Sequence, residues 1–426
     1  MLAATPALSG ALAFFVAGVL GTYLSWRYSF GLLTFMSIFV FLLSFRLKPV
    51  PRQSGVKIDA VGVALSAIAI ILISFGFNNL NAWGIVLASN NAPFNILGLS
   101  PALLFLVFGL MLFQAFFAWS HLRAETGRMP LLSLEVLESP KERATIVCLL
   151  VISALGPAVN FLIPLFIQIV QGRTTMQTAI AVVPYTLAIA ASAIFIVRMY
   201  DRLTPRRIAI VAFALVAGGL TLLSFVVGSN WGTAMVILGL LIVGLGEGSL
   251  LTLLFNVMVT SSPKELAGDV GALRGVANNL STALGTAFAG VVAVGLLSLF
   301  ITNAVGQSDL PRSLQRQVNL DNVNFVSNDQ LVEVLSQTTA TDTQIEQAVA
   351  INETARLRAL RASFLILGAI ALLAIFPSFG LPDYLPDDAP ATAAPPAGAP
   401  GGRDKRRQTI AGRGGQNSRR RSGGSK

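Results

Sequence analysis

Ile68-Ala69-Ile70-Ile71-Leu72-Ile73 has no polar side chain on any side of a helical wheel. A helix of a soluble domain keeps a polar face at helical spacing. A stretch that is apolar all round belongs in lipid or in a deep bundle interior. These residues lie in an apolar run over 58–77, and comparable runs lie on both sides of it: 3–24, 28–45, 99–119, 144–170, 178–197, 207–227, 232–258, 273–301 and 362–381. Each approaches the ~20 residues that cross a hydrocarbon core of about 30 Å. The runs are continuous, whereas the strands of a transmembrane barrel alternate apolar and polar positions. The expected fold class is therefore all-α, a polytopic transmembrane bundle of about ten spans.

Composition agrees. Of 426 residues, 54% are hydrophobic and 12% charged, against about 25% charged in soluble domains. The net charge of +10 raises the question of nucleic acid, but its distribution answers against it. One set of alternate short loops holds Arg46, Lys48, Arg52 and Lys57, then Arg123, Arg128, Lys141 and Arg143, then Arg198, Arg202, Arg206 and Arg207, then Lys264. The other set holds only Arg27 and Arg173. By the positive-inside rule this bias places the basic loops and both termini in the cytoplasm of a cell with an inner membrane. The expected partners are the lipid bilayer, a small-molecule substrate and protons, with no nucleic acid. The single cysteine, Cys148, falls inside a run and reads as a small buried hydrophobe.

Between the runs, loops are short as far as residue 302. Segment 78–98 is uncharged and carries Trp83, which suits an external loop with an interfacial aromatic. Segment 120–143 is charged, and a short cytoplasmic helix is expected near 130–138. Segment 302–361 is long, polar and external. Within it, Asn328 can cap a helix through Leu331, Val334 and Leu335. A second pattern, Ile345, Val349, Ala355, Leu357 and Leu360, runs into the last span. Residues 382–426 are rich in Pro, Ala, Gly and Arg, a composition too poor in apolar residues to fold. Clusters such as Arg419-Arg420-Arg421 there favour an anionic lipid surface by about 1 kcal/mol per basic residue.

No HExxH, GxSxG, Walker A or CxxC pattern occurs, so neither an enzyme nor a cofactor or metal site is expected. The only histidine, His121, follows a span and reads as an interfacial polar residue. Glu247 is the one acid deep inside a run, in Gly244-Leu245-Gly246-Glu247-Gly248. An ionised group at the bilayer centre costs ~2.5–3.5 kcal/mol on insertion scales, so a carboxyl there is paired, hydrated or protonated. It is the candidate for proton exchange during transport. Asn160, Gln168, Asn256 and Asn278 are candidate cavity-lining amides. Asn256 lies nine residues after Glu247, about half a turn away around a helix, so the two should not face one cavity. Gly156, Pro157, Pro164 and Pro184 allow bends. Gly271, Gly275, Thr282 and Ala289 recur at helical spacing, which predicts close approach of two helices.

The loop Asp201-Arg202-Leu203-Thr204-Pro205-Arg206-Arg207 puts acid and bases in a tight turn where they can latch neighbouring helix ends. It resembles the helix-linking motif Gly-x3-Asp-Arg-x-Gly-x-Arg-Arg of the major facilitator superfamily. Asp201, Arg202, Arg206 and Arg207 stand on its charged positions, Val197 and Thr204 on its glycines. Thr5-Pro6-Ala7-Leu8-Ser9-Gly10 resembles that family's antiporter motif Gly-Pro-x-x-Gly-Gly, with Pro6 and Gly10 matching, and Trp26-Arg27-Tyr28 resembles the turn that follows. Pro164-Leu165-Phe166-Ile167-Gln168 with Gly172, and Gly285-Thr286-Ala287, extend the likeness to residue 381.

The similarity is greatest to the fourteen-span drug/proton antiporter branch, at its spans five to fourteen, and implies four further spans ahead of residue 1. It also implies an organisation: residues 1–57 as the last two spans of an N-terminal bundle, 58–143 as two linker spans with a cytoplasmic loop, and 144–381 as a six-span C-terminal bundle. The function it implies is proton-coupled efflux of small amphipathic, drug-like molecules, with multidrug resistance as the outcome. A non-transporting membrane scaffold and an importer of the same fold stand as alternatives.

Overall fold

The computed structural model describes residues 4–46, 59–128, 130–131, 139–199, 202–228, 234–261, 267–307, 328–337 and 340–384. Among these the chain is helical, apart from two isolated β-bridges pairing Leu99 with Leu87 and Ile96. The helices are α1 (Ala4–Tyr23), α2 (Trp26–Ser44), α3 (Ala60–Trp83), α4 (Pro101–Glu125), α5 (Pro140–Leu165), α6 (Thr175–Met199), α7 (Pro205–Val226), α8 (Ala234–Ser261) and α9 (Ala267–Gly306). Three more follow: α10 (Asn328–Ser336), α11 (Asp342–Leu373) and the short α12 (Ile375–Ser378). Among the described residues, nine helical segments are long and apolar enough to cross a membrane, the first of them α2. Helix α1, 20 residues long, forms on the first of the predicted runs. The protein is an integral membrane protein.

Local chemistry fixes the helix starts. Ser139 and Glu142 make a reciprocal capping box at the head of α5, with Pro140 in the first turn. Ser100 caps α4 through the Ala102 N–H at 3.2 Å, and Pro101 follows it. Prolines 157 and 184 sit inside α5 and α6 without ending them. Beyond Pro164, α5 widens into a π-helical turn over Phe166–Val170, one of the few recognised ways to relax a long helix. The helix starting at Asn328 and the long α11 follow the patterns read from the sequence. The short helix expected near 130–138 falls mostly outside the described residues.

The core lies among α5, α6, α7, α8 and α11. Helix α7 packs on α8 and α11, α6 on α8 and α1, and α5 on α9. Ile152, Leu162, Phe213, Leu220, Leu240, Leu253 and Phe364 are buried there. Cys148 is buried, with its Sγ 3.6 Å from Ser378 Oγ. Helices α3 and α4 form a second hairpin, which meets the rest chiefly through α9. Helix α2 buries none of its residues.

Two arginines tie α11 to its neighbours, Arg356 buried and Arg361 half-buried. Arg356 Nη1 donates to the Ile169 carbonyl at 3.1 Å and Nη2 to Asn328 Oδ1. Arg361 Nε donates to the Val227 carbonyl at 2.8 Å. Both donate to carbonyls near helix C-terminal ends, where a cation also meets the negative end of the dipole.

The small residues of α9 correct the sequence reading. A Cβ added at Gly271 or Gly275 would meet nothing within 4 Å, so these glycines do not mark a helix crossing. They border open space instead. The close approach occurs further along, at Gly285, where a Cβ would collide with the Ala154 carbonyl of α5. Helical spacing shows which residues share a face, and here the face is split between a cavity and a neighbour.

Candidate functional site

The glycines around Glu247 let α8 lie close to three helices. A Cβ at Gly244 would press on Ala188 at 2.9 Å, one at Gly248 on the Ile189 backbone at 2.8 Å, and one at Gly246 on Val216 at 2.7 Å. The first two contacts are with α6 and the third with α7. This tight seam holds Glu247 at 6% exposure. Its Oε2 accepts a hydrogen bond from the hydroxyl of Tyr185, which is fully buried on α6. Its Oε1 lies against Gly156 of α5, where any Cβ would collide with it. The side chain of Asn160, one turn further along α5, interacts with the Tyr185 oxygen and donates to the Gly156 carbonyl at 3.1 Å.

The carboxyl, the phenol and this amide border a cavity of about 510 Å³. Gly10 of α1 lines it, with Asn160 of α5 and Tyr185, Thr186, Ile189 and Ala193 of α6. The rest of the wall is Glu247, Gly248, Leu251, Thr252 and Phe255 of α8, and Gly271, Arg274, Gly275 and Asn278 of α9. Cavities of roughly 300–1,000 Å³ hold small organic ligands, with a few placed polar groups on a mostly apolar lining.

Four residues proposed from the sequence for transport therefore meet here, Glu247, Asn160, Asn278 and Gly10, together with Gly271 and Gly275, which were expected at a helix crossing. Asn256 is not on this wall, in keeping with its half-turn offset, and Gln168 lies in the π-helical turn away from it. Pro6 is within α1, and its side chain lies outside the described residues. Tyr185 and Arg274 were not anticipated. Each carried a signal, a hydroxyl directly after an in-span proline and a cation inside the ninth apolar run.

The charged turn between α6 and α7 is described from Arg202 onward. Asp201 lies outside the described residues. Arg202 and Arg207 are exposed, while Arg206 pairs with Asp383 at 3.0 Å. Thr204 Oγ1 donates to the same carboxylate at 2.8 Å, and the Arg206 N–H donates to the Pro382 carbonyl at 3.2 Å. Among the described residues, Asp383, beyond α12, supplies an acid to this cluster.

A bundle of membrane-crossing helices around a polar-lined cavity with one buried acid defines a transporter-like membrane protein. The model of the Major Facilitator Superfamily matches residues 1–286, and the chain belongs to that family. The tetracenomycin C resistance and export protein of Streptomyces glaucescens is 24% identical over 305 residues, 70% of this chain and 52% of that protein. The tetracycline resistance determinant of Streptomyces rimosus is 30% identical over 161 residues, 34% of this chain and 45% of that protein. The chain spans about half the length of the curated relatives it matches. A crystal structure of a bacterial homolog to the human lysosomal transporter Spinster, inward-facing and occupied, aligns with a TM-score of 0.43 at 15% identity. That alignment covers 74% of this chain and 64% of the other.

Proposed function

We propose that this protein is a secondary transporter that exports small amphipathic molecules across the inner membrane in exchange for protons. Glu247 is the carboxyl that takes up and releases the proton. The observation that carries this reading is the placement of Glu247 at the border between a packed seam and a cavity: buried, hydrogen-bonded by Tyr185, and open on one side to the space a substrate would enter. A carboxyl in such a place is costly to ionise unless a partner compensates, and arrival of a substrate changes that compensation. Asn160 and Asn278 supply neutral hydrogen-bonding groups on the same wall. The names of the two curated relatives, both tied to antibiotic resistance, support efflux as the direction.

In this reading the basic loops and both termini face the cytoplasm. Residues 1–57 belong to one bundle, 58–143 to a linker pair and 144–381 to the opposing bundle, and the two bundles rock about the cavity. Asp201, Arg202, Arg206 and Arg207 form a cytoplasmic latch, to which the pairing of Arg206 with Asp383 adds. Proteoliposomes with an imposed pH gradient test the proposal, with a tetracycline as the transported probe. Glu247→Gln should express and insert normally, lose gradient-driven accumulation and retain downhill flux. If the variant concentrates the probe as the unmodified protein does, Glu247 is structural and the coupling reading fails.

A further inference from the structure

Among the described residues, Arg274 is the one cation on the cavity wall. Its guanidinium carbon stands 3.8 Å from the centroid of the Phe255 ring, a cation–π stack that fixes the arm without consuming its hydrogen-bond donors. Among the described residues no carboxylate pairs with it. Its surroundings explain how it stays accessible: Gly271, about one turn before it on α9, and Gly275, directly after it, leave open space where side chains would stand. The helix face that the sequence suggested for packing serves here as a clearing around a charge.

The cavity is therefore two-ended. Phe255 follows Glu247 by eight residues on α8, about 12 Å along the helix axis. One end holds a carboxyl with a phenol. The other holds an immobilised guanidinium beside an aromatic ring. Between them lie Leu251, Thr252 and Ile189. A guanidinium presents a planar fork of donors that matches a carboxylate or another planar oxyanion, and an aromatic ring beside it favours a flat apolar body.

We propose that the cavity binds amphipathic molecules with a planar aromatic body and an acidic group, the anion resting on Arg274 and the ring system against Phe255. The inference rests on the reading of this cavity as the substrate site and adds the class of substrate. An anionic lipid headgroup would offer the same oxyanion chemistry, so the test must separate the two.

The experiment measures binding, not transport. The protein is placed in nanodiscs of phosphatidylcholine and titrated with pyrenebutyrate, its methyl ester and the matching pyrenyl trimethylammonium, with protein-free discs subtracted. The acid should bind about tenfold more tightly than the ester, the scale of one charge-assisted hydrogen-bonded contact. Arg274→Gln should erase that preference and leave the ester unchanged, Arg274→Lys should keep most of it, and Phe255→Leu should weaken all three probes.

Equal affinity for acid and ester in the unmodified protein overturns the proposal, whether or not Arg274→Gln folds. So does an acid affinity unmoved by Arg274→Gln. Displacement of pyrenebutyrate when phosphatidylglycerol replaces part of the lipid would make this a headgroup site and would also overturn it. Failure of gradient-driven flux with the acid preference intact would defeat the transport reading and leave this binding site standing.

Discussion

At the scale of single residues, Gly156 and Glu247 depend on each other. The glycine leaves the space that the carboxylate oxygen fills, and Tyr185 holds the carboxyl there from the other side. Gly156→Ala should therefore displace a side chain that cannot swing away without losing its hydroxyl partner. A cost of about 1–3 kcal/mol is expected, as for overpacking in a close-packed interior. The double variant with Glu247→Ala should recover most of that loss, a non-additivity readable from melting temperatures in detergent. Simple addition of the two costs would show that Gly156 is small for another reason. The acid itself was legible from the sequence, because a charge inside an apolar run is conspicuous. Its partner was not. Tyr185 lies 62 positions away on another helix, and helical periodicity says nothing about which helices become neighbours.

At the scale of elements, the hairpin of α3 and α4 is closed by one buried acid, which caps α3 and precedes the membrane-crossing helix Ala60–Trp83. Asp59 caps α3 through the Gly62 N–H at 3.0 Å, accepts from Trp119 Nε1 at 3.0 Å, and pairs with Arg123 at 3.3 Å. Burial works to raise the Asp59 pKa, but the Gly62 and Trp119 hydrogen bonds and the Arg123 charge together hold it below its ordinary value of 3.8. A carboxylate with a depressed folded pKa stabilises the fold fully above its unfolded value and loses that contribution as pH falls through the folded one. The hairpin should thus be insensitive to acid down to about pH 4 and weaken below it. Asp59→Ala should cost about 1–3 kcal/mol and flatten that acid limb, measured as melting temperature against pH. An unchanged acid limb in the variant would assign the loss to other carboxylates. These two helices were legible from their apolar runs. The clasp between them joins residues 60 positions apart, which no local pattern records.

At the scale of the whole molecule, the starts of α5 and α7 are tied to the chain that follows α12. Arg206 at the start of α7 pairs with Asp383, and Lys141 at the start of α5 lies 5.1 Å from the Tyr384 ring. The ion pair is partly exposed, at 36% and 46%, so its net worth is at most about 1 kcal/mol. Asp383→Asn should leave the melting temperature nearly unchanged. If this contact is a latch that differs between transport states, the same variant should change flux per inserted protein. Equal flux would reduce it to ordinary surface charge. At the other end of α5, the π-helical turn at Phe166–Val170 presents the Ile169 carbonyl to Arg356. A π turn amounts to one extra residue accommodated without breaking the helix. Removing a single residue from this stretch would let the α ladder close, rotate everything beyond it by about 100°, and carry that carbonyl away from its arginine. The docking of α11 is thus encoded as an insertion. Its origin lies in the length of the chain as much as in the choice of side chains.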